Sequence, residues 1–340
     1  MLVRGGIILH SAQVLYVAKN VTTVAFDKTG TLSQGDFTVE KSEVFVAGAE
    51  AIVYQLVKDD KHPIAQGICR SLTNRLLSLT EKELPIIEEF AALPGSGMRA
   101  TLDGYELLGG KPEFTGTAKH PIIAKYKSSG LSTFTVTLAG TCLAIYGLAD
   151  HPRPEASQLL LHLRAMGKKL IILSGDNEGA VHRFAGKVGV AKDEAQYSCI
   201  PEDKASFISN LRSKGEVVLF VGDGTNDGPA LATADVSMAL ASGSEVAHTS
   251  AGTVLLSSNI YRGVILLLHV ARMADLRMRL ALAWCAIYMV AALILASGAA
   301  VSFSIEPRWA GLGEVVSIIP VVAVGLSMHW VGREHISDHL

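Results

Sequence analysis

The chain has 340 residues, 30 of them Lys or Arg and 32 Asp or Glu, and its net charge of −2 gives no electrostatic basis for a nucleic-acid partner. That length suits two or more domains. A mean hydropathy of +0.34 with only 18% charged residues excludes a wholly soluble protein, so a membrane part is expected. The four cysteines, Cys69, Cys142, Cys199 and Cys285, are scattered, with no C-x-x-C or C-x-C pair. They read as reduced thiols of a cytosol-facing protein, not as a disulfide set or a zinc site. Residues 1–20 are mildly apolar, with Gly5-Gly6 near the start and helix-like spacing afterwards, and lack the pattern of a secretory signal.

The next stretch organises the rest. Val24-Ala25-Phe26 is an apolar run suited to a buried parallel strand, and it switches at once to Asp27-Lys28-Thr29-Gly30-Thr31-Leu32. Asp27 is thereby placed at the carboxyl end of a strand, the edge where open α/β sheets bind ligands. A carboxylate there can attack a phosphoryl group and form an aspartyl phosphate, with Lys28, the Thr29 and Thr31 hydroxyls and backbone N–H groups steadying the transferred oxygens. The stretch resembles the D-K-T-G-T signature of P-type ATPases, and Asp27 matches its phosphorylated position. Soluble phosphatases on the same type of sheet usually have a second Asp two residues later. Here that position is Thr29, so the phosphoaspartate is expected to persist for want of a local base. In the heavy-metal subgroup a Lys-Gly-Gly-like sequence links a membrane helix to this site, so the resemblance implies that Val3-Arg4-Gly5-Gly6 is the lower end of a stalk.

After Gly35 the pattern changes to mixed helix and strand with its own turns, consistent with an inserted domain. Gln55 to Leu76 reads as helical and contains His62-Pro63, similar to the His-Pro element of the nucleotide domain of heavy-metal pumps, although Lys61 stands where the family usually has Glu. The Gly-x-Gly turn Gly95-Ser96-Gly97 follows, and glycines there let backbone approach a ligand closely. Gly109-Gly110, after the strand-like Tyr105–Leu108, stands where the family has Gly-Asn. The resemblance implies that His62, Gly95, Gly97 and Gly109 contact ATP.

From Ala144 short apolar strands alternate with helices again. Asp150-His151-Pro152-Arg153-Pro154-Glu155 resembles the D-x-x-R-P-E segment that opens the second half of the phosphorylation domain. Lys169–Leu173 forms a strand ending in Ser174-Gly175-Asp176, where a hydroxyl can bind a phosphoryl oxygen and Asp176 can orient a lysine or the nucleotide. In Pro201-Glu202-Asp203-Lys204 the resemblance implies that Lys204 neutralises the phosphoaspartate. Val217–Val221 then runs into Gly222-Asp223-Gly224-Thr225-Asn226-Asp227-Gly228-Pro229, similar to the family's G-D-G-x-N-D-x-P. Mg²⁺ takes hard oxygen ligands, so Asp223, Asp227, Asp27 and Thr29, with Asn226 nearby, are the candidate Mg²⁺ site.

The last quarter is read as membrane. Leu280–Ile305 is uncharged and longer than the ~20 residues of a span, and Arg262, Arg272, Arg277 and Arg279 put its start on the cytoplasmic side. Trp309–Val331, with Glu314 and Pro320, is the second span, and Trp309 and Trp330 suit interfacial anchors. Cys285 and Met289 at i and i+4, with Tyr288, are candidate soft ligands for a transported ion, and Cu⁺ is favoured.

The expected fold is an α/β, haloacid dehalogenase-like phosphorylation domain with a Rossmann-type parallel sheet, an inserted α+β nucleotide-binding domain, and a two-helix transmembrane hairpin. Residues 1–19 are the stalk, 20–36 and 144–265 the phosphorylation domain, 37–143 the insertion, and 266–340 the membrane region, with helices at about 280–303 and 309–331. The Cys-Pro metal ligands and the Thr-Gly-Glu loop of such pumps do not occur. The reading is therefore the C-terminal half of an ATP-driven heavy-metal pump, whether fragment, truncated gene or decayed copy. It is integral to a membrane with cytoplasmic catalytic domains and is not expected to transport alone. Its partners would be ATP, Mg²⁺, lipid and a metal cation delivered by a metallochaperone. The alternatives are a membrane-anchored phosphatase of the same superfamily and an inactive nucleotide-binding fragment.

Overall fold

The structure, a computed structural model, describes residues 2, 5–73, 75, 76, 84–93, 95–223, 227–241, 251–297 and 315–327. In chain order, β1 (Ile7–Leu9) and α1 (Gln13–Ala18) precede β2 (Thr23–Asp27), and a tight turn over Lys28–Leu32 leads into β3 (Ser33–Val44). Then come α2 (Ala49–Val57), α3 (Pro63–Thr73), β4 (Glu88–Leu93), β5 (Gly97–Leu102), β6 (Tyr105–Gly110), α4 (Pro121–Ser128), β7 (Ser132–Leu138) and β8 (Thr141–Pro152). The chain continues through α5 (Ala156–Ala165), β9 (Lys169–Leu173), α6 (Glu178–Val188), β10 (Ala195–Gln196), α7 (Pro201–Ser213) and β11 (Val218–Gly222). It closes with α8 (Gly228–Thr233), β12 (Val236–Leu240), β13 (Thr253–Leu255), α9 (Ile260–Ala296) and α10 (Val315–Ser327).

Seven strands form one sheet in the order β1-β13-β12-β11-β2-β9-β10, parallel except for β1. β2, β11 and β12 are buried at every position, which is why they read as apolar runs without alternation. Their residues alternate between two cores: Val24, Phe26, Leu219 and Val221 pack towards α5, α6 and α9, while Ala25, Val218 and Phe220 pack towards α7 and α8. Helices on both faces make this a doubly wound sheet, as expected from the sequence.

The second sheet is antiparallel, in the order β3-β8-β7-β6-β5-β4, with Phe134, Val136, Tyr146 and Leu148 packed under α2 and α3, and Ile145 and Ala149 under α4. β3 and β8 pair from Ser33↔Pro152 to Val44↔Ala144, so the two modules are joined by a continuous two-stranded ribbon. The expected boundaries at 36/37 and 143/144 both fall inside these strands. The helical reading of Gln55–Leu76 is corrected to two helices. Pro63 has no N–H to donate into a preceding turn and opens α3, while Asp60 Oδ1 accepts the His62 N–H at 2.6 Å in the break.

The segment read as a stalk also completes the sheet: β1 pairs with β13, and Gly5 packs so closely on Leu266 of α9 that a side chain there would collide. Val3 and Arg4 lie outside the described residues. α9 begins twenty residues before the expected span. Its first turns bury Ile260, Val264, Leu267 and Leu268 in the core beside the seven-stranded sheet, and its later turns expose Leu280, Leu282, Ile287, Val290 and Leu293. It is long and apolar enough to cross a membrane. α10 covers 13 residues of the expected second span and meets α9 where Trp284 Nε1 donates to the Ser317 carbonyl at 3.3 Å. Trp309, Glu314 and Trp330 lie outside the described residues.

Candidate active site

Register brings the motif strands to one level. Asp27 pairs with Leu173, so Ser174 is the next residue along β9, and Phe26 pairs with Val221, so Asp223 lies just past the end of β11. From the other side, Pro201 starts α7 and the Ile200 N–H donates to Asp203 Oδ2 at 3.1 Å, which turns Lys204 inward to 5% exposure. Lys204 Nζ lies 2.5 Å from Asp27 Oδ1 and 2.8 Å from Asp227 Oδ1. Oxygen atoms of Asp27, Asp223 and Asp227 all lie within 4.8 Å of one another.

Three carboxylates around one ammonium are an unbalanced charge. Burial first, then the neighbouring Asp227 and Asp223 carboxylates, push the pKa of Asp27 up to about 7 against the pull of Lys204. Burial and Asp227 raise Asp223 to about 6. Burial opposes the charge of Lys204, but Asp27 and Asp227 outweigh it and hold its pKa above the ordinary lysine value. A hard divalent cation fits this donor set, because every ligand atom is a carboxylate oxygen and a small ion would remove the excess negative charge. The backbone is shaped for it: Gly30, at φ +75°, comes so near Asp223 Oδ2 that any Cβ would collide with it. Gly222 likewise leaves space for Asp227, whose Oδ2 accepts the Asp223 N–H at 3.2 Å.

These groups open on a cleft of about 540 Å³ that Thr29, Gly30, Gly175, Asp176, Arg153 and Pro63 also border, within the size range of small-molecule sites. Thr29 and Gly175 therefore face the same cleft as Asp27. Ser174 is buried beside them, its Oγ accepting the Asp176 N–H at 3.2 Å. Lys28 is not among the residues bordering this cleft: its ammonium lies 2.5 Å from Asp176 Oδ2 and 3.8 Å from Asp150 Oδ2, with the Phe184 ring 5.6 Å away. Asp176 thus pairs with Lys28, and Lys28 ties the turn after Asp27 to both modules.

The nucleotide candidates divide into two groups. Gly97 and Gly109 are brought together: the two strands approach so closely that a Cβ on Gly97 would collide with the Gly109 carbonyl, and Gly95, at φ +77°, makes the turn between β4 and β5. His62 is exposed, its Nδ1 accepting the Ile64 N–H at 3.3 Å at the start of α3, and the adjoining Pro63 reaches the catalytic cleft. Asn226 lies outside the described residues. On α9, Cys285 and Met289 are exposed while Tyr288, like Trp284 one turn earlier, is half-buried, and their i, i+3 and i+4 spacing puts Cys285, Tyr288 and Met289 on neighbouring positions of the helix surface.

Sequence reasoning gave Arg153 no task of its own. Its Nε donates to the Thr31 carbonyl and its Nη2 to the Gly30 carbonyl, both at 2.7 Å, so it clamps the loop that follows Asp27. The signal was available in the Arg-Pro-Glu run, but not the direction in which the guanidinium points.

Residues 21–235 match the haloacid dehalogenase-like hydrolase family. The probable copper-transporting ATPase SynA of Synechococcus sp. is 33% identical over 339 residues, which cover 96% of this chain and 42% of the relative. A zinc-transporting PIB-type ATPase in the E2.Pi state superposes with a TM-score of 0.72 at 28% identity, over 96% of this chain and 52% of that one. The catalytic CPx-ATPase domain CopB-B superposes with a TM-score of 0.65 at 28% identity, over 79% of this chain and 97% of that domain. The chain thus spans less than half the length of the curated relative.

Proposed function

Because the chain belongs to the haloacid dehalogenase-like hydrolase family, we propose that it forms the phosphorylated catalytic part and final membrane helices of an ATP-driven heavy-metal cation pump. The observation that carries this reading is the meeting of Lys204 with Asp27 and Asp227 at the mouth of the cleft, where a triphosphate tail can reach a carboxylate that is already shielded by a cation.

The chemistry is a phosphoryl transfer. An ionised oxygen of Asp27 attacks the γ-phosphorus of ATP, the bond from that phosphorus to the β–γ bridging oxygen breaks, and ADP leaves with the electron pair. Lys204 offsets the negative charge that builds on the transferred group, and the Ser174 hydroxyl and the loop N–H groups are placed to bind its oxygens. Asp27, Asp223 and Asp227, with Thr29 beside them, are the residues that would hold Mg²⁺, which would supply further neutralisation of the phosphoryl oxygens. His62, Gly95, Gly97 and Gly109 hold the nucleotide on the antiparallel module. Thr29 offers no base to activate water, which favours a lasting aspartyl phosphate over rapid ester hydrolysis.

α9 carries the catalytic core into the bilayer as one uninterrupted helix. Copper is the favoured cargo because the Synechococcus relative bears that name and Cys285 and Met289 are soft donors. The full pump requires the parts that this chain does not share with its relatives.

The test is incubation of the purified chain with ATP labelled at the γ-phosphate. A phosphoprotein stable to acid, cleaved by hydroxylamine and abolished in Asp27→Asn is expected. Fast turnover of small phosphate esters without such a species would support the phosphatase reading instead.

A further inference from the structure

Arg153 holds more of the nucleophile loop than any local feature of that loop does. Its backbone N–H donates to the Leu32 carbonyl at 2.9 Å, its Nε to Thr31 and its Nη2 to Gly30 at 2.7 Å each, so one residue satisfies three consecutive carbonyls. These are the residues of a turn whose shape is irregular, with Thr29 at ψ 124° and Gly30 at φ +75°. Gly30 is also the residue against which Asp223 rests, so the position of the loop sets the spacing of the carboxylates. The remaining nitrogen, Nη1, donates to the Ser258 carbonyl at 3.3 Å. Ser258 is followed by Asn259, whose side chain caps the first turn of α9 by accepting the Arg262 N–H at 2.9 Å. A single planar guanidinium therefore bridges the loop after Asp27 and the root of the helix that leaves the catalytic domain. A lysine could not do this, since its three donors radiate from one nitrogen and cannot fork to both sides.

We propose that Arg153 is a positioning residue that couples the phosphorylation state of Asp27 to the first turn of α9. When the carboxylate receives a phosphoryl group and Asp223 closes on it, the Gly30 and Thr31 carbonyls move. The rigid fork passes that movement to Ser258 and so to the N-cap of the long helix. The fixed ring of Pro154 restricts the backbone on the far side, so the side chain works from a stiff base.

This rests on the aspartyl-phosphate reading, and the experiment separates the two. The full chain in detergent or nanodiscs is loaded with Mg²⁺ and beryllium fluoride, a mimic of the phosphoryl group, and amide hydrogen exchange is followed at residues 27–33 and 256–263. The wild-type chain is expected to show a ligand-induced change at both places. In Arg153→Lys the change at 27–33 is expected to remain while the change at 256–263 is lost. Asn259→Ala serves as a comparator: it raises basal exchange in the first turn of α9 by removing the cap, yet keeps the ligand-induced change because the guanidinium bridge is intact. Retention of the α9 response in Arg153→Lys, or its loss in Asn259→Ala, overturns the proposal. If wild-type protein does not respond to beryllium fluoride at 27–33, the phosphorylation reading fails. The ligand-free arm still decides on the bridge, because Arg153→Gln must then raise exchange at both segments together and the proposal falls if only the loop responds.

Discussion

Lys28 and Asp176 form an ion pair of 2.5 Å, with only 3% of the lysine side chain exposed, and it directs the residue next to Asp27 away from the carboxylate cluster. Lys28→Ala would leave the Asp150 side chain, 2% exposed, and the partly exposed Asp176 carboxylate without their cation. Breaking a buried pair from one side costs about 3–5 kcal/mol, so a fall in unfolding free energy of that order is expected in denaturant titrations. The double variant Lys28→Met/Asp176→Leu removes both charges of the closer pair and is expected to recover part of the loss.

Lys204 is the counter-charge that the cluster does rely on. Lys204→Met is expected to slow phosphoenzyme formation by ~10²–10³-fold, the scale of removing one group that stabilises developing negative charge. Quenched-flow labelling from ATP measures it. Lys204→Arg should not restore the rate, because a planar fork in place of a compact ammonium does not fit between Asp27 and Asp227.

The raised carboxylates fix the sign of a pH effect. Asp27 near 7 and Asp223 near 6 keep protons that the unfolded chain, with an ordinary value of 3.8, has already lost. Their contribution to the stability of the metal-free protein is therefore full below the ordinary carboxylate value and is lost as pH rises through both raised values. Mg²⁺ requires the ionised forms, so its affinity is expected to climb through the same window, with protons released on binding. Calorimetric titration of Mg²⁺ in two buffers of different ionisation enthalpy checks this: the released protons should be countable at about pH 6 and disappear at about pH 8.

Much of this site was legible because β2, β9 and β11 are short, mostly apolar strands: β2 ends in Asp27, and β9 and β11 are followed at once by Ser174 and Asp223. The boundary of the inserted module was not. Seven consecutive residues of β8, Leu143–Ala149, are buried, so an antiparallel strand covered on both faces reads like a parallel one. The break before α3 was marked by Pro63 and the polar run Lys58–His62, but Val57 and Ile64, seven residues apart, keep the phase of a single helix face across it. The direction of Lys28 and the grip of Arg153 depend on partners more than a hundred residues away, Asp150, Asp176 and the Gly30 and Thr31 carbonyls, which no local pattern encodes.

Gly30 is confined twice, by its left-handed backbone and by Asp223 Oδ2 occupying the place of a side chain. Gly30→Ala is expected to cost about 1–3 kcal/mol from backbone strain alone. Because relief comes only by displacing Asp223, Mg²⁺ affinity should fall more steeply than stability does. Comparing metal titration with thermal unfolding of the same variant separates the two.

Thr29 is where the pump and phosphatase readings part. It borders the cleft with Asp27, is exposed, and stands two residues after that carboxylate. Thr29→Asp would place a carboxylate within reach of a water attacking the phosphoaspartate. General base catalysis of this kind typically contributes 10²–10⁴-fold, so the lifetime of the labelled intermediate is expected to shorten by roughly that factor in a chase with unlabelled ATP. The added charge has a second effect: a fourth carboxylate beside Asp27, Asp223 and Asp227 disfavours ionisation of the nucleophile, so phosphorylation itself should slow below neutral pH. A variant that forms the intermediate more slowly yet loses it much faster distinguishes base catalysis from simple damage, since damage would lower formation without shortening the life of what forms.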